Sequence, residues 1–532
     1  MSEKHRDYQK IICFVILLIY IPYVYISCNL ENVNDTVFFY NRVKNLSQCI
    51  RDGIFPYFYY NDMKGTGYGT SFFYGQLTLL PFIPFEGLGY SAFSSVAQVL
   101  ITLLTFFSAS FFARRFSNNE YYIGLLMIMS QSFVCNPLIA NKLAFGISCF
   151  FLAKCVDFFR DKKSFIPASL LFYLIINTHL MSTMLSFFCC VIIFLYYFDK
   201  NRFNDYFKFA AVTGVFCSYF LVNMKYHSEG LNLLNFVIFE NPSVFKEISQ
   251  LYNIPMPFLG LLIRFPLRFL FNVNVNNVVG VALMPISLLI VGIINIKITN
   301  PSYNKKQIFL FVFSLCLFLL GILDLWLTPA IYNITRYFQF PVRLDLFINL
   351  FLYVFLFRNI HIKFNFIYIV ILLDLIICSP CTYFIDETTA AYFEYVANGE
   401  YFSNNFNFNV KEFDELRVKV LNQDNEELDY YLDKDVLVVN VPEHDGDWKI
   451  QVPKLYYKTY VCDEGFECYE GYSQFVTLDV GDYNGDLHIH YEHPLFLKIW
   501  SVLSYILVVI TLLYYIFYKN FARLRKKLLS DY

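Results

Sequence analysis

The sequence predicts an α-helical polytopic membrane protein of about twelve transmembrane helices, with a small extracytoplasmic β-sandwich-like domain before the last helix. Three observations support this prediction. Of the 532 residues 57% are hydrophobic, 20% aromatic and 16% charged, with a mean hydropathy of +0.46. This composition excludes an ordinary soluble domain and a disordered chain. Long apolar runs recur between Lys/Arg clusters, whereas residues 386–494 are acidic and contain short alternating runs.

The predicted spans are apolar runs long enough, or nearly long enough, to cross a bilayer. The first follows a short basic N-terminus and precedes no small-residue cleavage site, so we expect an uncleaved helix. The segment 72–85 contains Pro81 and Pro84 and is too short to span, so we expect it at the interface or as a re-entrant piece. The spans are residues 11–26, 91–113, 121–136, 142–159, 165–178, 180–198, 207–224, 278–296, 309–327, 344–357, 366–384 and 496–518.

The Lys/Arg clusters between these spans all fall on one side of the predicted membrane. An excess of Lys and Arg marks the cytoplasmic face, so we expect a multi-pass plasma-membrane protein with both termini in the cytoplasm. The expected domains are a membrane domain at 1–385 with a first outer loop at 28–74, an extracytoplasmic β-domain at 386–494, and the last helix with its basic tail at 495–532. The formal net charge of −2 gives no reason to expect nucleic acid as a partner.

The first outer loop mixes ionisable residues with Phe and Tyr. An ionisable residue held beside aromatic walls at the membrane surface is a functional candidate, and Asp35 is the first choice here. The alternative is that Asp35 caps an amphipathic stretch beginning at Thr36. The loop contains no Asp-x-Asp pair, so a divalent metal is compatible with the site but not demanded.

Further candidates lie at the ends of later spans. Arg336 and Arg343 are seven residues apart, which places them on one face if the segment is helical and suits them to grip a phosphate. The alternative for both is snorkelling at the interface. His179 stands at the outer end of a helix, where it either hydrogen-bonds substrate or has a structural role. The spans are nearly free of charge apart from Asp324 and Asp374, which favours chemistry at the outer face over transport.

The acidic segment 386–494 shows the alternation of β-strands. Asp445-Gly446 and Asn484-Gly485 supply turn residues between the runs. The predicted strands are residues 436–441, 448–452, 456–461, 474–480 and 487–491.

Two side-chain sets within this segment suggest specific bonds. Cys462 and Cys468 lie close together in a polar stretch, so a disulfide is expected if the compartment is oxidising. Calcium binding by Asp479, Asp482 and Asp486 is an alternative to a simple solvated acidic surface.

A series of motifs recurs in order over nearly the whole chain. They are Asp35-Thr36-Val37-Phe38, Arg42-Val43, Gly53-Ile54-Phe55-Pro56, 67–74, 177–181 and 338–343, with looser matches at 398–401 and 453–457. Together they resemble a known group of bacterial polytopic proteins, the pyruvoyl-tetrahydropterin-synthase-related membrane proteins. These are similar to the GT-C superfamily of glycosyltransferases, which use lipid-linked sugar donors.

The resemblance implies a membrane glycosyltransferase that moves a sugar from a polyprenyl-phosphate donor to an extracytoplasmic acceptor, which is a cell-surface glycan, a wall polymer or a lipid. It implies Asp35 as the catalytic base. The substrate-binding residues that it implies are Arg42, Tyr68, Tyr74, His179, Arg336, Gln339, Arg343 and Glu400.

The chain also departs from the family pattern. Phe39 stands where the family usually has His, and Val342 where it usually has Trp. No acidic residue occurs in 142–147, and no Pro occurs at Phe402-Ser403. These departures leave open a non-catalytic alternative, which is a lipid-linked sugar flippase or a cell-envelope scaffold.

Overall fold

The computed structural model describes residues 3–28, 34–54, 74–130, 139–228, 342–357 and 417–530, apart from 424–425 and 472–474, together with residues 67, 71, 133 and 295. The α-helices are α1 (Glu3–Cys28), α2 (Asn34–Asp52), α3 (Tyr90–Ala113), α4 (Glu120–Met129), α5 (Ile139–Phe159), α6 (Ile166–Ile176), α7 (Leu180–Tyr197), α8 (Phe203–Ser228), α9 (Val342–Leu356) and α10 (Leu495–Ser530), with 3-10 helices at Leu77–Leu88 and Lys200–Arg202.

These elements divide into two compact units. The first unit contains α1, α3 to α7 and α9. The second contains α2 from Val37 onward, the 3-10 helix Leu77–Leu88, α8, all the strands and α10.

Close helix packing in the first unit depends on small residues. Gly124 of α4 faces α3, and a Cβ at this position would lie 2.7 Å from the Phe106 carbonyl oxygen. Ala97, Ser108 and Ala109 of α3 are fully buried. Small residues let helix backbones approach closely, which is the usual way in which membrane helices pack.

Five helices in the described part of the chain are long and apolar enough to cross a membrane. They are Tyr90–Ala113, Ile139–Phe159, Leu180–Tyr197, Lys200–Ser228 and Leu495–Phe517, and each coincides with a predicted span. The predicted spans 278–296, 309–327 and 366–384 lie outside the described residues, apart from residue 295.

Other predicted spans appear as shorter apolar helices. The span expected at 121–136 is the ten-residue α4, which ends where Ser130 turns to an extended conformation. The span expected at 165–178 is the eleven-residue α6. The side chains of Asn177 and Thr178 donate hydrogen bonds to the carbonyls of Tyr173 and Leu174 and so close its last turn. The expected span 11–26 lies within the 26-residue helix α1, and the expected span 344–357 is the 15-residue α9. The segment 72–85, which was expected not to span, contains most of the 3-10 helix Leu77–Leu88.

The second unit contains a β-domain of two antiparallel sheets. The five-stranded sheet has the order β2-β1-β5-β8-β7 and the four-stranded sheet the order β3-β4-β9-β6. The strands are β1 (Val418–Val420), β2 (Glu426–Leu428), β3 (Tyr430–Asp433), β4 (Val436–Val441), β5 (Trp448–Leu455), β6 (Tyr460–Cys462), β7 (Cys468–Glu470), β8 (Phe475–Gly481) and β9 (Gly485–Tyr491).

The register of the central strands follows their alternating sequence. In the four-stranded sheet Leu437 pairs with Ile489 and Val439 with Leu487, and all four side chains are fully buried. A shift of one residue would expose this set, so the pattern fixes the pairing. Gly485, with φ +127°, opens β9 at a backbone conformation that other residues rarely adopt. The predicted β-domain before the last helix is therefore present.

Candidate functional site

Helix α2 carries the central residues of the candidate site. Its buried face repeats at helical spacing through Phe39, Val43 and Leu46, each at most 1% exposed. Phe39 packs edge-on against Phe82 of the 3-10 helix, with ring centroids 5.2 Å apart. The helix ends at Gly53, whose positive φ of 74° permits the chain to turn away.

Arg42 lies fully on this buried face and is 1% exposed. Its Nη2 donates to the Gly75 carbonyl at 3.1 Å, and its Cζ stands 4.7 Å from the Tyr74 ring centroid and 5.7 Å from that of Phe38. Its Nε is buried without an acceptor, and no described carboxylate pairs with the guanidinium. A guanidinium stays charged in proteins, so this cation has a carbonyl and two aromatic faces as its partners among the described residues.

The nearest acidic side chain of the 3-10 helix is already engaged elsewhere. Glu86 forms an ion pair with Arg51 at 2.6 Å, at a site where Arg51 is largely exposed. The Glu86 carbonyl accepts a hydrogen bond from the Tyr40 hydroxyl at 3.1 Å. These contacts fix α2 against the 3-10 helix, and Glu86 pairs with Arg51 and not with Arg42.

Asp35 is the second residue of α2, because the helix begins at Asn34. The interpretation of Asp35 as a cap preceding a helix that starts at Thr36 is therefore wrong. Its side chain lies outside the described part of the structure. Asp35 and Arg42 are seven residues apart on one helix, which places them on the same side and about 10 Å apart along the axis.

The remaining predicted residues are only partly described. The structure brings together Arg42 and Tyr74. The backbone of Arg343 lies in the first turn of α9, and its side chain is outside the description. Tyr68, Arg336, Gln339 and Glu400 lie outside the described residues altogether.

His179 has a structural role at the start of α7. Its Nδ1 accepts a hydrogen bond from the Ser182 amide at 3.2 Å, which caps the helix. The Ser182 hydroxyl in turn donates to Asn141 Oδ1 of α5 at 2.7 Å. All three residues are buried, and Asn141 Nδ2 has no hydrogen-bond acceptor there.

A buried charge next to this network was missed from the sequence. Lys142 is 5% exposed; its Nζ lies 3.4 Å from Gln98 Oε1 and 5.2 Å from the Phe133 ring centroid. Asp157, at the other end of α5, is 3% exposed. The expectation that the spans are nearly free of charge is therefore wrong for α5. Both residues lie within the predicted span 142–159. They were missed because the high apolar content of this span outweighs a few charged residues in a prediction from sequence.

The two cysteines of the β-domain are free thiols in the structure. Cys462 Sγ donates to Glu464 Oε2 at 3.1 Å. Burial raises the pKa of both Cys462 and Cys468 to about 12. Oxidation proceeds through the thiolate, and a pKa this high leaves little thiolate at neutral pH. The disulfide therefore stays a prediction, which depends on an oxidising compartment.

No group of three or more His, Cys, Asp or Glu side chains suited to a metal occurs within the described ranges. Two of the carboxylates considered for calcium have protein partners. Asp479 accepts a hydrogen bond from the Tyr469 hydroxyl and lies 3.6 Å from the Lys449 ammonium. Asp486 accepts from Asn440.

Comparison with known protein families, curated proteins and solved structures found no match to this chain.

Proposed function

We propose that this protein is a GT-C-type membrane glycosyltransferase that moves a sugar from a polyprenyl-phosphate donor to a hydroxyl of an extracytoplasmic acceptor. In this proposal about twelve spans cross the plasma membrane, and α2 and the β-domain lie at the outer face. The motifs of the outer loops and the apolar helices support it.

The observation that carries the proposal is the buried guanidinium of Arg42, which has no carboxylate partner among the described residues and stands seven residues after Asp35. Sugar transfer needs a base for the acceptor hydroxyl and cations for the departing phosphate. One helix thus supplies both a carboxylate and a cation whose charge is uncompensated by the described part of the chain.

The proposed step is a substitution at the anomeric carbon. Asp35 takes the proton of the acceptor hydroxyl as its oxygen bonds to that carbon. The bond to the phosphate oxygen breaks, and its electron pair leaves with the polyprenyl phosphate. Arg42, Arg336 and Arg343 stabilise the anion by charge-assisted hydrogen bonds.

The test is transfer of radiolabelled sugar from a lipid-linked donor in reconstituted vesicles. Asp35→Asn keeps the shape but cannot accept a proton at neutral pH, so we expect transfer to fall by roughly 10²–10⁴-fold. Asp52→Asn, at the other end of α2, is the matched control and should retain transfer. Full activity in Asp35→Asn would remove Asp35 as the base.

A flippase is the second candidate, and the buried polar side chains of α5 and α7 favour it. Lys142, Asn141 and Ser182 form a polar interior of the kind that transporters use for substrates. A wild-type protein that moves lipid-linked sugar across vesicles but transfers none would support this candidate. Loss of that movement in Lys142→Met would then assign it to this cluster.

A further inference from the structure

A cluster of basic side chains lies where α3 and α5 end, far along both helices from the residues discussed above. We call it the basic cluster. It consists of Arg114, Arg115, Lys154, Arg160, Lys162 and Lys163, with the two carboxylates Asp157 and Asp161.

Asp157 is the shared partner of three cations of the basic cluster. Arg115 donates to both of its oxygens, at 3.1 and 2.7 Å. Lys154 and Lys163 approach the same carboxylate at 3.4 and 3.3 Å. A single buried carboxylate therefore holds three cations, which leaves an excess of positive charge around it.

The second carboxylate does not remove this excess. Arg160 binds Asp161 through two parallel hydrogen bonds of 2.7 and 3.0 Å, and its third nitrogen donates to the Arg115 carbonyl. Arg114 and Lys162 are exposed, and within the described residues neither has an acidic partner. Arg114 and Lys162 are thus the two cations of the basic cluster that no described carboxylate pairs with.

The backbone of Lys162 forms the left-handed turn that ends α5. Its φ is +55°, in the left-handed region that disfavours residues with a Cβ. The turn returns the chain to α5, where the Lys163 amide donates to the Asp157 carbonyl at 3.1 Å. Glycine would make this turn without strain.

The basic cluster lies at the ends of two helices that are candidate membrane spans, and in a bilayer that they cross it would stand at the level of the phosphate groups. Helices α3 and α5 are both long and apolar enough to span. Arg114 and Arg115 follow Ala113 at the end of α3, Lys154 and Asp157 lie in the last two turns of α5, and Arg160 to Lys163 follow Phe159. The Phe111 ring packs against two of these charges, 3.7 Å from Arg115 Cζ and 4.8 Å from Lys154 Nζ. Basic groups between transmembrane helices at this depth suit acidic lipid headgroups.

We propose that the basic cluster binds the phosphate of an anionic phospholipid headgroup. Arg114 and Lys162 contact the phosphate, and the Asp157 network holds the surrounding cations in place. This proposal does not depend on the proposed sugar transfer.

The test compares thermal unfolding of the purified full-length protein in detergent with added phosphatidylglycerol or phosphatidylcholine. We expect phosphatidylglycerol to raise the unfolding midpoint. Lys162→Gly should need roughly fivefold more phosphatidylglycerol for the same rise, the usual effect of one basic residue near an anionic surface. With phosphatidylcholine the variant should be as stable as the wild type or more so, because glycine removes the strain. Arg114→Gln should show the same weakened response.

Lys434→Gly is the matched control. Lys434 is an exposed lysine with φ +57° in the turn between β3 and β4, so this variant removes the same charge from the same backbone conformation. It should respond to phosphatidylglycerol as the wild type does. Native mass spectrometry of bound lipid provides a second readout that does not depend on unfolding.

Three results would overturn the proposal. The first is an equal phosphatidylglycerol response in Lys162→Gly and the wild type. The second is an equal loss in Lys434→Gly, which would indicate a diffuse effect of net charge. The third is an equal rise with inorganic phosphate alone, which would indicate a soluble anion instead of a lipid.

Discussion

The guanidinium of Arg42 stacks on the ring of Tyr74, with its Cζ 4.7 Å from the ring centroid. The contact lies in the buried interior between α2 and the segment that leads into the 3-10 helix. A cation over an aromatic face gains about 0.5–2 kcal/mol, which is less than the cost of removing a charge from water without an opposite charge. Among the described residues Arg42 therefore has no partner that offsets this cost.

Our first prediction follows from this balance. Arg42→Met keeps much of the side-chain volume and removes the buried charge, so we expect the unfolding midpoint to stay the same or rise. Donor binding should be lost, since the phosphate loses a charge-assisted contact. Thermal unfolding and binding of a lipid-linked donor measure the two effects separately.

Arg51→Met is the control for this prediction on the same helix. Its ion pair with Glu86 is exposed on the arginine side, so its loss should cost at most about 1 kcal/mol and leave donor binding intact. If Arg42→Met strongly destabilised the protein while donor binding persisted, Arg42 would be a structural residue.

The second prediction concerns the carboxylate of Asp157. Asp157→Asn leaves Arg115, Lys154 and Lys163 without their shared partner. Breaking a buried ion pair by removing one side costs about 3–5 kcal/mol, so we expect a clear fall in the unfolding midpoint. Asp161→Asn is the comparison, because its partner Arg160 is partly exposed and the loss should be near 0–1 kcal/mol. Similar midpoints for the two variants would show that Asp157 is not the centre of this network.

The third prediction is a pH dependence in the β-domain. The hydrogen bond to Glu464, 2.7 Å from Nδ1, raises the pKa of His488 above its usual value. Burial opposes ionisation of Glu464, but hydrogen bonds from the His488 side chain and amide outweigh it and lower the pKa of that carboxyl.

The sign of each contribution follows from linkage. A raised histidine pKa stabilises the fold below the unfolded value near 6.5 and loses this effect as the pH rises through the folded pKa. A lowered glutamate pKa stabilises above the unfolded value near 4.3 and loses this effect as the pH falls. We therefore expect the pair to contribute most at about pH 5–6.

Thermal unfolding of the full-length protein between pH 4 and 8 checks this window. The difference between wild type and Glu464→Gln should be largest near pH 5–6 and shrink toward both ends. Asp463→Asn is the comparison. Its charge also raises the pKa of His488, but Asp463 is exposed and its own ion pair, with His490, is longer at 3.6 Å, so its pH-dependent difference should be smaller. A difference that does not vary with pH would rule out the linkage.

The long elements of the fold could be predicted from the sequence. The apolar run 91–113 corresponds to Tyr90–Ala113, and the alternating run 436–441 corresponds to β4. Each of these runs has many residues that follow one repeat, which is a continuous apolar helix length in the first and strand alternation in the second. The strand Tyr430–Asp433 was missed because all four of its residues are exposed, so its sequence has no alternation between apolar and polar positions.

The candidate site was predictable only in part. Asp35 and Arg42 could be chosen because charged residues stand out in an aromatic loop. The structure adds that both lie on helix α2, seven residues apart. The Asn141–Ser182 contact was not predictable, since the two residues are 41 positions apart and their proximity depends on how α5 packs against α7. The same holds for Arg115 and Asp157, which are 42 positions apart.

The last prediction is that Cys462 and Cys468 form a disulfide in exported protein. The two residues belong to β6 and β7, which lie at the edges of different sheets, so a bridge would join the two layers of the β-domain. Its short loop limits the gain to about 2–3 kcal/mol on chain-entropy grounds. Oxidation removes the hydrogen bond from Cys462 to Glu464, but Glu464 keeps both contacts with His488.

Mass spectrometry of unreduced peptides tests this bridge and the location of the domain together, because disulfides persist in oxidising compartments. Cys155 and Cys190 provide the internal control. Their Sγ atoms are only 3.5 Å apart, but they lie between the apolar helices α5 and α7, both candidate membrane spans, whereas the buried Cys462 and Cys468 belong to the polar β-domain. We expect the pair Cys462–Cys468 to be oxidised and the pair Cys155–Cys190 to stay reduced in the same sample. Free thiols at both pairs in correctly exported protein would contradict the bridge, and oxidation of both pairs would show that proximity alone decides which cysteines react.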